Sequence, residues 1–189
     1  DTCSDCPAGA TTVNNGSTMC VCDRGYTGQD NQSCVRCPIG KYKPSYGSAS
    51  CSLCRANTYL DEPGAKYEFD CLSCPPNSFS PALLVSGAIT NCSCNVGYSG
   101  PDGGSCEACP LGTYKNVNGS SPCVSCAPNY GQPNVGSTSC EVCAADSSAP
   151  GGSTSFEDCA CNLGFFGANN AGPDISSCEA CPVGKYGIV

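Results

Sequence analysis

The apolar positions of this chain are scattered and lack the spacing of an amphipathic helix. Leu, Ile and Val are sparse, and no stretch keeps a 3.6-residue hydrophobic period beyond one turn. Turn-forming residues interrupt the sequence throughout, with 23 Gly and 15 Pro among 189 residues. The one helix-like run, Ala82-Leu-Leu-Val, is too short and too near Pro81 to predict a helix. The pattern predicts short two-stranded hairpins and turns, with essentially no helix.

Cysteine replaces a conventional apolar core as the organising residue. The chain has 22 Cys but no Trp and one Met, and a cysteine share above roughly 8–10% signals a disulfide scaffold. Every cysteine belongs to a close doublet. Eight doublets are C-x-x-C: Cys3/Cys6, Cys34/Cys37, Cys51/Cys54, Cys71/Cys74, Cys106/Cys109, Cys123/Cys126, Cys140/Cys143 and Cys178/Cys181. Three are C-x-C: Cys20/Cys22, Cys92/Cys94 and Cys159/Cys161. The predicted fold class is therefore small and disulfide-rich, an extended tandem array of short hairpin and loop modules.

Disulfides and glycosylation sequons predict passage through the secretory pathway. Disulfides persist in oxidising compartments, which favours an extracellular or cell-surface location. Asn15, Asn31 and Asn118 begin Asn-x-Ser sequons and are candidate N-glycosylation sites. Asn91 begins a weaker one, because Cys92 occupies its middle position and makes the asparagine a poor acceptor.

Charge and residue types weigh against nucleic-acid binding and catalysis. The net charge is −8, and the eight basic residues are scattered rather than clustered. No histidine is present, so histidine acid–base chemistry is excluded, and adjacent carboxylates such as Asp61/Glu62 or Glu157/Asp158 are better explained as solvated loop charges. No apolar segment of about 18 residues predicts a membrane span. We expect no enzyme activity, no cofactor and no nucleic-acid partner.

Metal binding is the main chemical alternative to disulfides. The Cys34/Cys37 and Cys51/Cys54 doublets stand at a spacing close to that of a zinc ribbon. Disulfides are favoured because the C-x-C doublets, the sequons and the repetition all fit secretion, and 22 thiols do not divide into tetrads. Scattered acidic residues such as Asp23, Asp30, Asp102 and Asp174 do not form the ligand pattern of a calcium-binding module. We predict no metal site.

The C-x-C doublets mark the starts of a longer repeat. Cys20 and Cys92 begin similar segments, C-x-C-x-x-G-Y-x-G followed by C-P-x-G-x-Y, and Cys159 begins a third with Phe in place of the first Tyr. The unit is about 70 residues long with eight cysteines. It predicts an end of a partial repeat at 1–19, repeats at 20–91 and 92–158, and a start of a partial repeat at 159–189. We expect either a piece of a longer array or a protomer that meets its copies end to end.

These motifs resemble two families of extracellular modules. The G-[YF]-x-G stretch between cysteines is similar to the C-terminal half of an EGF-like module. C-P-x-G-x-Y, with a cysteine about fourteen residues on, resembles the ephrin-receptor-like cysteine-rich repeat and the first loop of tumour-necrosis-factor-receptor modules. Tandem copies also resemble the shafts of algal mastigoneme proteins. No complete six-cysteine EGF module is present.

Two disulfide schemes stay open at this stage, since sequence does not fix connectivity. In a serial ladder, supported by the EGF-like and receptor-like loops, the second cysteine of each doublet bonds the first of the next. That scheme pairs Cys6–Cys20, Cys22–Cys34, Cys37–Cys51, Cys54–Cys71, Cys74–Cys92, Cys94–Cys106, Cys109–Cys123, Cys126–Cys140, Cys143–Cys159 and Cys161–Cys178. Cys3 and Cys181 then have partners outside this segment. The alternative is a crossed pattern between neighbouring doublets, for example Cys34–Cys51 with Cys37–Cys54.

The predicted function is structural. Modules that close their own loops and touch only their neighbours form a quasi-one-dimensional array. We expect a disulfide-stapled rod, part of a filament, a mastigoneme-like shaft or a cell-surface stalk, with copies of itself or adjoining repeats as partners and with attached glycans. The alternative is a spacer or ligand-binding ectodomain segment of a cell-surface receptor or adhesion protein.

Overall fold

The structure is a computed structural model of the chain. It describes residues 3–81, 87–167 and 178–187. The Ala82-Leu-Leu-Val run and Asp174 lie outside these residues.

Within the described residues, the regular structure consists of antiparallel two-stranded hairpins, as the sequence predicted. Each hairpin joins two consecutive strands, β1 with β2, β3 with β4, and so on to β19 with β20. The strands are β1 Ala10–Thr11, β2 Val21–Cys22, β3 Tyr26–Thr27, β4 Val35–Arg36, β5 Lys41–Tyr42, β6 Ser52–Leu53, β7 Thr58–Tyr59, β8 Leu72–Ser73, β9 Ser78–Phe79 and β10 Ser93–Cys94. They continue as β11 Tyr98–Ser99, β12 Glu107–Ala108, β13 Thr113–Tyr114, β14 Val124–Ser125, β15 Tyr130–Gly131, β16 Glu141–Val142, β17 Ser147–Ser148, β18 Ala160–Cys161, β19 Phe165–Gly167 and β20 Cys178–Ala180.

Helical structure in the described residues is limited to three 3₁₀ turns, Glu68–Asp70, Ile89–Asn91 and Phe156–Asp158. No helix there is long and apolar enough to cross a bilayer. Each turn ends immediately before a cysteine, and the last residue of the turn folds its side chain back onto the backbone. Asp70 Oδ2 accepts hydrogen bonds of 2.9 Å from the N–H groups of Lys66 and Tyr67, because a short acidic side chain satisfies the open donors at such a start.

Hairpin register follows from the cysteine doublets. The first strand pairs with the residues between the two cysteines of the next doublet, so that Tyr26 lies opposite Arg36 and Tyr98 opposite Ala108. A C-x-C doublet has one residue fewer, and its second cysteine takes the strand position, as Cys22 does opposite Ala10. The doublet therefore sets both the disulfide and the strand pairing.

The chain divides into two compact units, residues 1–93 with 102–105, and residues 94–101 with 106–189. In the first unit the most buried apolar side chains are cysteines, with Leu60 as the one buried aliphatic residue larger than alanine among those described. In the second unit Cys143, Ala149 and Cys159 form a small cluster covered by Phe156. The fold class predicted from the sequence, a small disulfide-rich tandem array with essentially no helix, is confirmed.

Candidate functional site

The cysteines form ten disulfides that close ten consecutive loops, numbered 1 to 10 here in chain order. The bonds are Cys6–Cys20, Cys22–Cys34, Cys37–Cys51, Cys54–Cys71, Cys74–Cys92, Cys94–Cys106, Cys109–Cys123, Cys126–Cys140, Cys143–Cys159 and Cys161–Cys178. This is the serial order rather than the crossed one. Their Cα–Cα distances run from 5.5 to 5.9 Å, within the usual range for disulfides. Cys3, which is exposed, and Cys181, which is half-buried, are not paired.

The 70-residue unit contains a shorter repeat that was not predicted from the sequence. The third residue after the cysteine that opens each loop has a left-handed backbone, and the same holds after Cys181. These residues are Gly9, Gly25, Gly40, Asn57, Asn77, Gly97, Gly112, Asn129, Asp146, Gly164 and Gly184. Gly, Asn and Asp are the residues that adopt this conformation most readily. The motif C-x-x-[G/N/D] recurs at every such cysteine. It is hard to recognise in the sequence because its last position varies among three residue types.

Six of these left-handed residues donate a backbone hydrogen bond to the following loop in the part of the chain that the structure describes. The N–H of Gly25 donates to the carbonyl of Lys43 at 3.0 Å, and the equivalent Gly97 donates to Lys115 at 2.8 Å. A methyl group on Gly97 would lie 2.2 Å from the carbonyl oxygen of Gly136. Glycine is thus required at Gly97 both for its backbone angle and for this close approach.

The second glycine of the G-[YF]-x-G motif differs in backbone angle from the first in two of the three copies. The glycines of these motifs are Gly25, Gly28, Gly97, Gly100, Gly164 and Gly167, and glycine at such positions predicts a tight turn. The first member of each pair is left-handed, whereas Gly100 and Gly167 are not. A methyl group on Gly28 would lie 3.4 Å from the Sγ of Cys22, so at that position the small residue lets the backbone approach the disulfide.

Two lysines are buried at equivalent places in the two complete repeats. Lys43 and Lys115 are 1% and 2% exposed. Each Nζ donates to two backbone carbonyls, those of Tyr26 at 2.7 Å and Gly47 for Lys43, and those of Tyr98 at 2.7 Å and Gly119 for Lys115. Burial lowers the pKa of Lys43, and the nearby carboxylates Asp30 and Asp23 oppose that effect. These lysines tie neighbouring loops together, and their burial was not predicted from the sequence.

The first repeat has an aromatic and cationic cluster that the second lacks. The Arg24 guanidinium lies 4.8 Å from the ring centroid of Tyr46 and 5.9 Å from that of Tyr67, and it donates to the Tyr67 hydroxyl at 2.9 Å. The Tyr67 hydroxyl raises the pKa of Arg24. Phe69 stacks on Tyr67 with centroids 4.9 Å apart and is 77% exposed. At the sequence positions equivalent to Arg24 and Tyr46, 72 residues on, stand Val96 and Asn118.

Equivalent shallow grooves lie beside loop 4 and loop 8. The first groove, of about 320 Å³, is lined by Arg55, Thr58, Glu68, Phe69 and Cys71. The second groove, of about 370 Å³, is lined by Tyr114, Asn116, Ala127, Tyr130, Thr138, Ser139 and Cys140. Arg55 and Ala127 each follow the cysteine that opens their loop, and Cys71 and Cys140 close the two loops. The two repeats thus each have a groove at an equivalent loop, and the residues that line the two grooves differ.

The four sequon asparagines are exposed, but their side chains differ in what they do. Asn31 Oδ1 accepts from the Cys20 N–H, and Asn118 Oδ1 accepts from the Val96 N–H, each at 2.9 Å. Asn91 Oδ1 instead accepts from the Ala88 N–H at 3.0 Å, inside a 3₁₀ turn next to a buried disulfide. For Asn15 no side-chain contact is seen with the described residues.

The acidic side chains considered for chemistry are dispersed. Asp61, Glu62 and Glu157 are exposed loop residues, and Asp158 holds the start of its 3₁₀ turn through the N–H groups of Thr154 and Ser155. Among the described residues, no three Cys, Asp or Glu side chains gather as a metal site would require.

Comparison with known proteins identifies the kind of repeat. Residues 25–71 match the family model described as tyrosine-protein kinase ephrin type A/B receptor-like. The chain is 31% identical over 160 residues, 84% of its length, to signal peptide, CUB and EGF-like domain-containing protein 2 of Mus musculus. It is 38% identical over 96 residues, 49% of its length, to sushi, von Willebrand factor type A, EGF and pentraxin domain-containing protein 1 of Rattus norvegicus. It is 30% identical over 101 residues, 53% of its length, to ephrin type-B receptor 1 of Gallus gallus.

The chain spans only a small part of each of these relatives, 14%, 3% and 8% of their respective lengths. The similarity therefore concerns a cysteine-rich segment. It agrees with the resemblance based on the G-[YF]-x-G and C-P-x-G-x-Y motifs.

Proposed function

Since this chain is a tandem array of cysteine-rich repeats of the ephrin-receptor-like and EGF-like type, we propose that it is an extracellular, non-enzymatic structural segment. The observation that supports this proposal most directly is the serial closure of ten loops. Each disulfide bridges two points close in sequence, so the chain between Cys6 and Cys178 is shortened and held by covalent bonds along its length. Such a segment holds other parts of an assembly at a set separation.

Within that class we propose a part of a filament, a mastigoneme-like shaft or a cell-surface stalk. Support comes from repetition, because six of the loops are hydrogen-bonded to the next through the same backbone groups among the described residues, such as Gly25 to Lys43 and Gly112 to Gln132. An array of this kind extends by adding units. The partners are then adjoining repeats or copies of the same chain, and Cys3 and Cys181 bond to cysteines outside this segment.

Immunogold labelling of native, unpermeabilised cells tests the proposal. An antibody raised against the folded chain should label extracellular fibres or surface projections. Labelling that appears only after permeabilisation contradicts the extracellular location, and uniform labelling of the plasma membrane without fibres contradicts the filament. The state of Cys3 and Cys181 is tested by alkylating the native protein before reduction. Both should be protected from the reagent, whereas alkylation of either shows that it has no partner.

A receptor or adhesion ectodomain is the second candidate function, favoured by the family model that matches residues 25–71 and by the ephrin type-B receptor 1 similarity. In that case the repeats act as a spacer or carry a ligand site. Mass spectrometry of the full-length native protein separates the two. A membrane anchor together with a further folded domain supports the receptor, and continued repeats of this type support the filament.

We also propose N-linked glycans at Asn15, Asn31 and Asn118. At Asn31 and Asn118 the Oδ1 atom is engaged by a backbone N–H, which fixes the side chain while the Nδ2 atom that takes the sugar makes no hydrogen bond to the described residues. Asn91 is the internal control, because its sequon contains the buried, disulfide-bonded Cys92. Glycopeptide mapping should find sugar at the first three positions and none at Asn91.

A further inference from the structure

We propose that the second groove, between Tyr114 and Tyr130 beside loop 8, binds a neutral saccharide. Its volume, about 370 Å³, lies near the lower end of the range of ligand pockets, roughly 300–1,000 Å³. The inference concerns a binding site and does not depend on the structural role proposed above.

The lining combines aromatic faces with unused polar groups. Tyr114 is half-buried and Tyr130 is 40% exposed. The side chains of Asn116, Thr138 and Ser139, like the two tyrosine hydroxyls, make no hydrogen bond with other described residues. Sugars present apolar C–H faces that pack on aromatic rings and hydroxyls that pair with amides and hydroxyls. The five side chains supply both kinds of contact around one groove.

Unused polar groups set these residues apart from their immediate neighbours. Thr113, next to Tyr114, donates through Oγ1 to the carbonyl of Pro110 at 2.7 Å. Ser137, next to Thr138, donates through Oγ to the carbonyl of Asn134 at 2.9 Å. The hydroxyls just outside the groove donate hydrogen bonds to backbone carbonyls, whereas those inside the groove are available to a ligand.

The first groove shows why the ligand is assigned to the second. In the first groove Arg55 and Glu68 are paired with each other, and the Thr58 hydroxyl donates to the Arg55 carbonyl at 2.7 Å. Its polar groups are therefore already partnered. The second groove has no charged lining residue, so an ionic ligand would gain no charge partner there, and a neutral ligand fits best.

Saturation-transfer NMR tests the proposal on the full, oxidised chain produced in a host that adds no N-linked glycans, so that the chain's own sugar cannot occupy the groove. The probes are methyl glucoside, methyl galactoside, methyl mannoside and, as the charged comparison, methyl glucuronoside. We expect transfer to at least one neutral probe and weaker transfer to the glucuronoside. Tyr130→Ala and Asn116→Ala should each weaken that binding about fivefold or more, the effect of losing one contact of about 1 kcal/mol.

Phe69→Ala, in the first groove, is the matched control and should leave the transfer unchanged. Each variant is accepted only if its disulfide map equals that of the natural chain. If Tyr130→Ala does not fold, the binding measured with Asn116→Ala, a change on an exposed loop, tests the proposal instead. The proposal is overturned by absent transfer to every neutral probe, by stronger transfer to the glucuronoside, or by equal binding in the folded groove variants and the control.

Discussion

Pulling the chain from its two ends while its disulfides are reduced one at a time gives a direct measure of the serial pairing. In the oxidised chain, force is carried through each disulfide, and the residues inside each loop are shielded from it. With roughly 3.5 Å per extended residue and Cα–Cα distances of 5.5 to 5.9 Å across the bonds, Cys6 and Cys178 can separate to only about 140 Å. Before reduction, the distance between Cys6 and Cys178 under force should therefore not exceed that limit.

Reduction of a single disulfide should release the length of its own loop. The shortest loops, with a sequence separation of 12, release about 36 Å, and the longest, with a separation of 18, about 57 Å. Over all ten loops the gain is about 460 Å. Some step sizes should recur, because each of the two complete repeats begins with a loop of sequence separation 12 followed by one of 14.

The assay is force-clamp spectroscopy with a soluble reductant, on a chain with Cys3→Ser and Cys181→Ser so that no disulfide forms between molecules. Crossed pairing predicts a different record. With Cys34–Cys51 and Cys37–Cys54, breaking either bond leaves the other in place, and no extension follows until both are gone. Missing single-loop steps, or steps that occur only after two reductions, would refute the serial scheme and the structural argument built on it.

Three further results are expected. Gly97→Ala should lower the yield of oxidative refolding well below that of Gly164→Ala, since both residues are left-handed but only Gly97 faces a carbonyl oxygen 2.2 Å from the added methyl. Lys43→Met should speed amide exchange in its loop about tenfold or more, because two carbonyls lose a buried donor, at a cost of about 1–3 kcal/mol each. The Arg55 guanidinium holds the pKa of Glu68 below its ordinary value of 4.5, so an NMR titration should show that pKa rise towards 4.5 in Arg55→Ala.

The sign of the pH effect and the controls follow from the same contacts. Because the folded pKa of Glu68 is lowered, the ion pair stabilises its loop above pH 4.5 and is lost as the pH falls through the lowered pKa. An unchanged Glu68 titration in Arg55→Ala contradicts the pairing. For the buried lysine, the amide of Gly47 is the reporter, since it donates to the Cys22 carbonyl. Lys41→Met should leave it unaffected, and equal acceleration in both variants argues against a specific role for Lys43.

Much of the fold was predictable because cysteine spacing restricts a chain with so little apolar surface. Doublets such as Cys34/Cys37 and Cys106/Cys109 fix where a hairpin strand lies, and the absence of helical periodicity excluded longer helices. The division of 1–19, 20–91, 92–158 and 159–189 into repeats stays a prediction. The left-handed turn was missed where Asn57 or Asp146 stands in place of glycine, although its position relative to the cysteine does not vary.

The interior contacts were not predictable from residue type. Lys43 and Lys115 belong to the class of residues that stay in solvent, and only the folded backbone brings two carbonyls to each ammonium group. The second groove likewise combines residues from separate loops, such as Tyr114 and Tyr130, whose proximity no local pattern encodes. The covalent frame was therefore predictable from the cysteine spacing, whereas the side-chain surfaces were not.

Because the loops are closed in series, most peptide bonds of the backbone can be cut without separating the chain into two pieces. A protease that cuts a peptide bond between Cys54 and Cys71, for example, leaves the two pieces joined through the disulfide between those residues. Between Cys6 and Cys178, only the short links between loops, such as Ser52–Leu53 or Ser93, lie outside this protection. A molecule built in this way tolerates repeated nicks in its loops without falling apart.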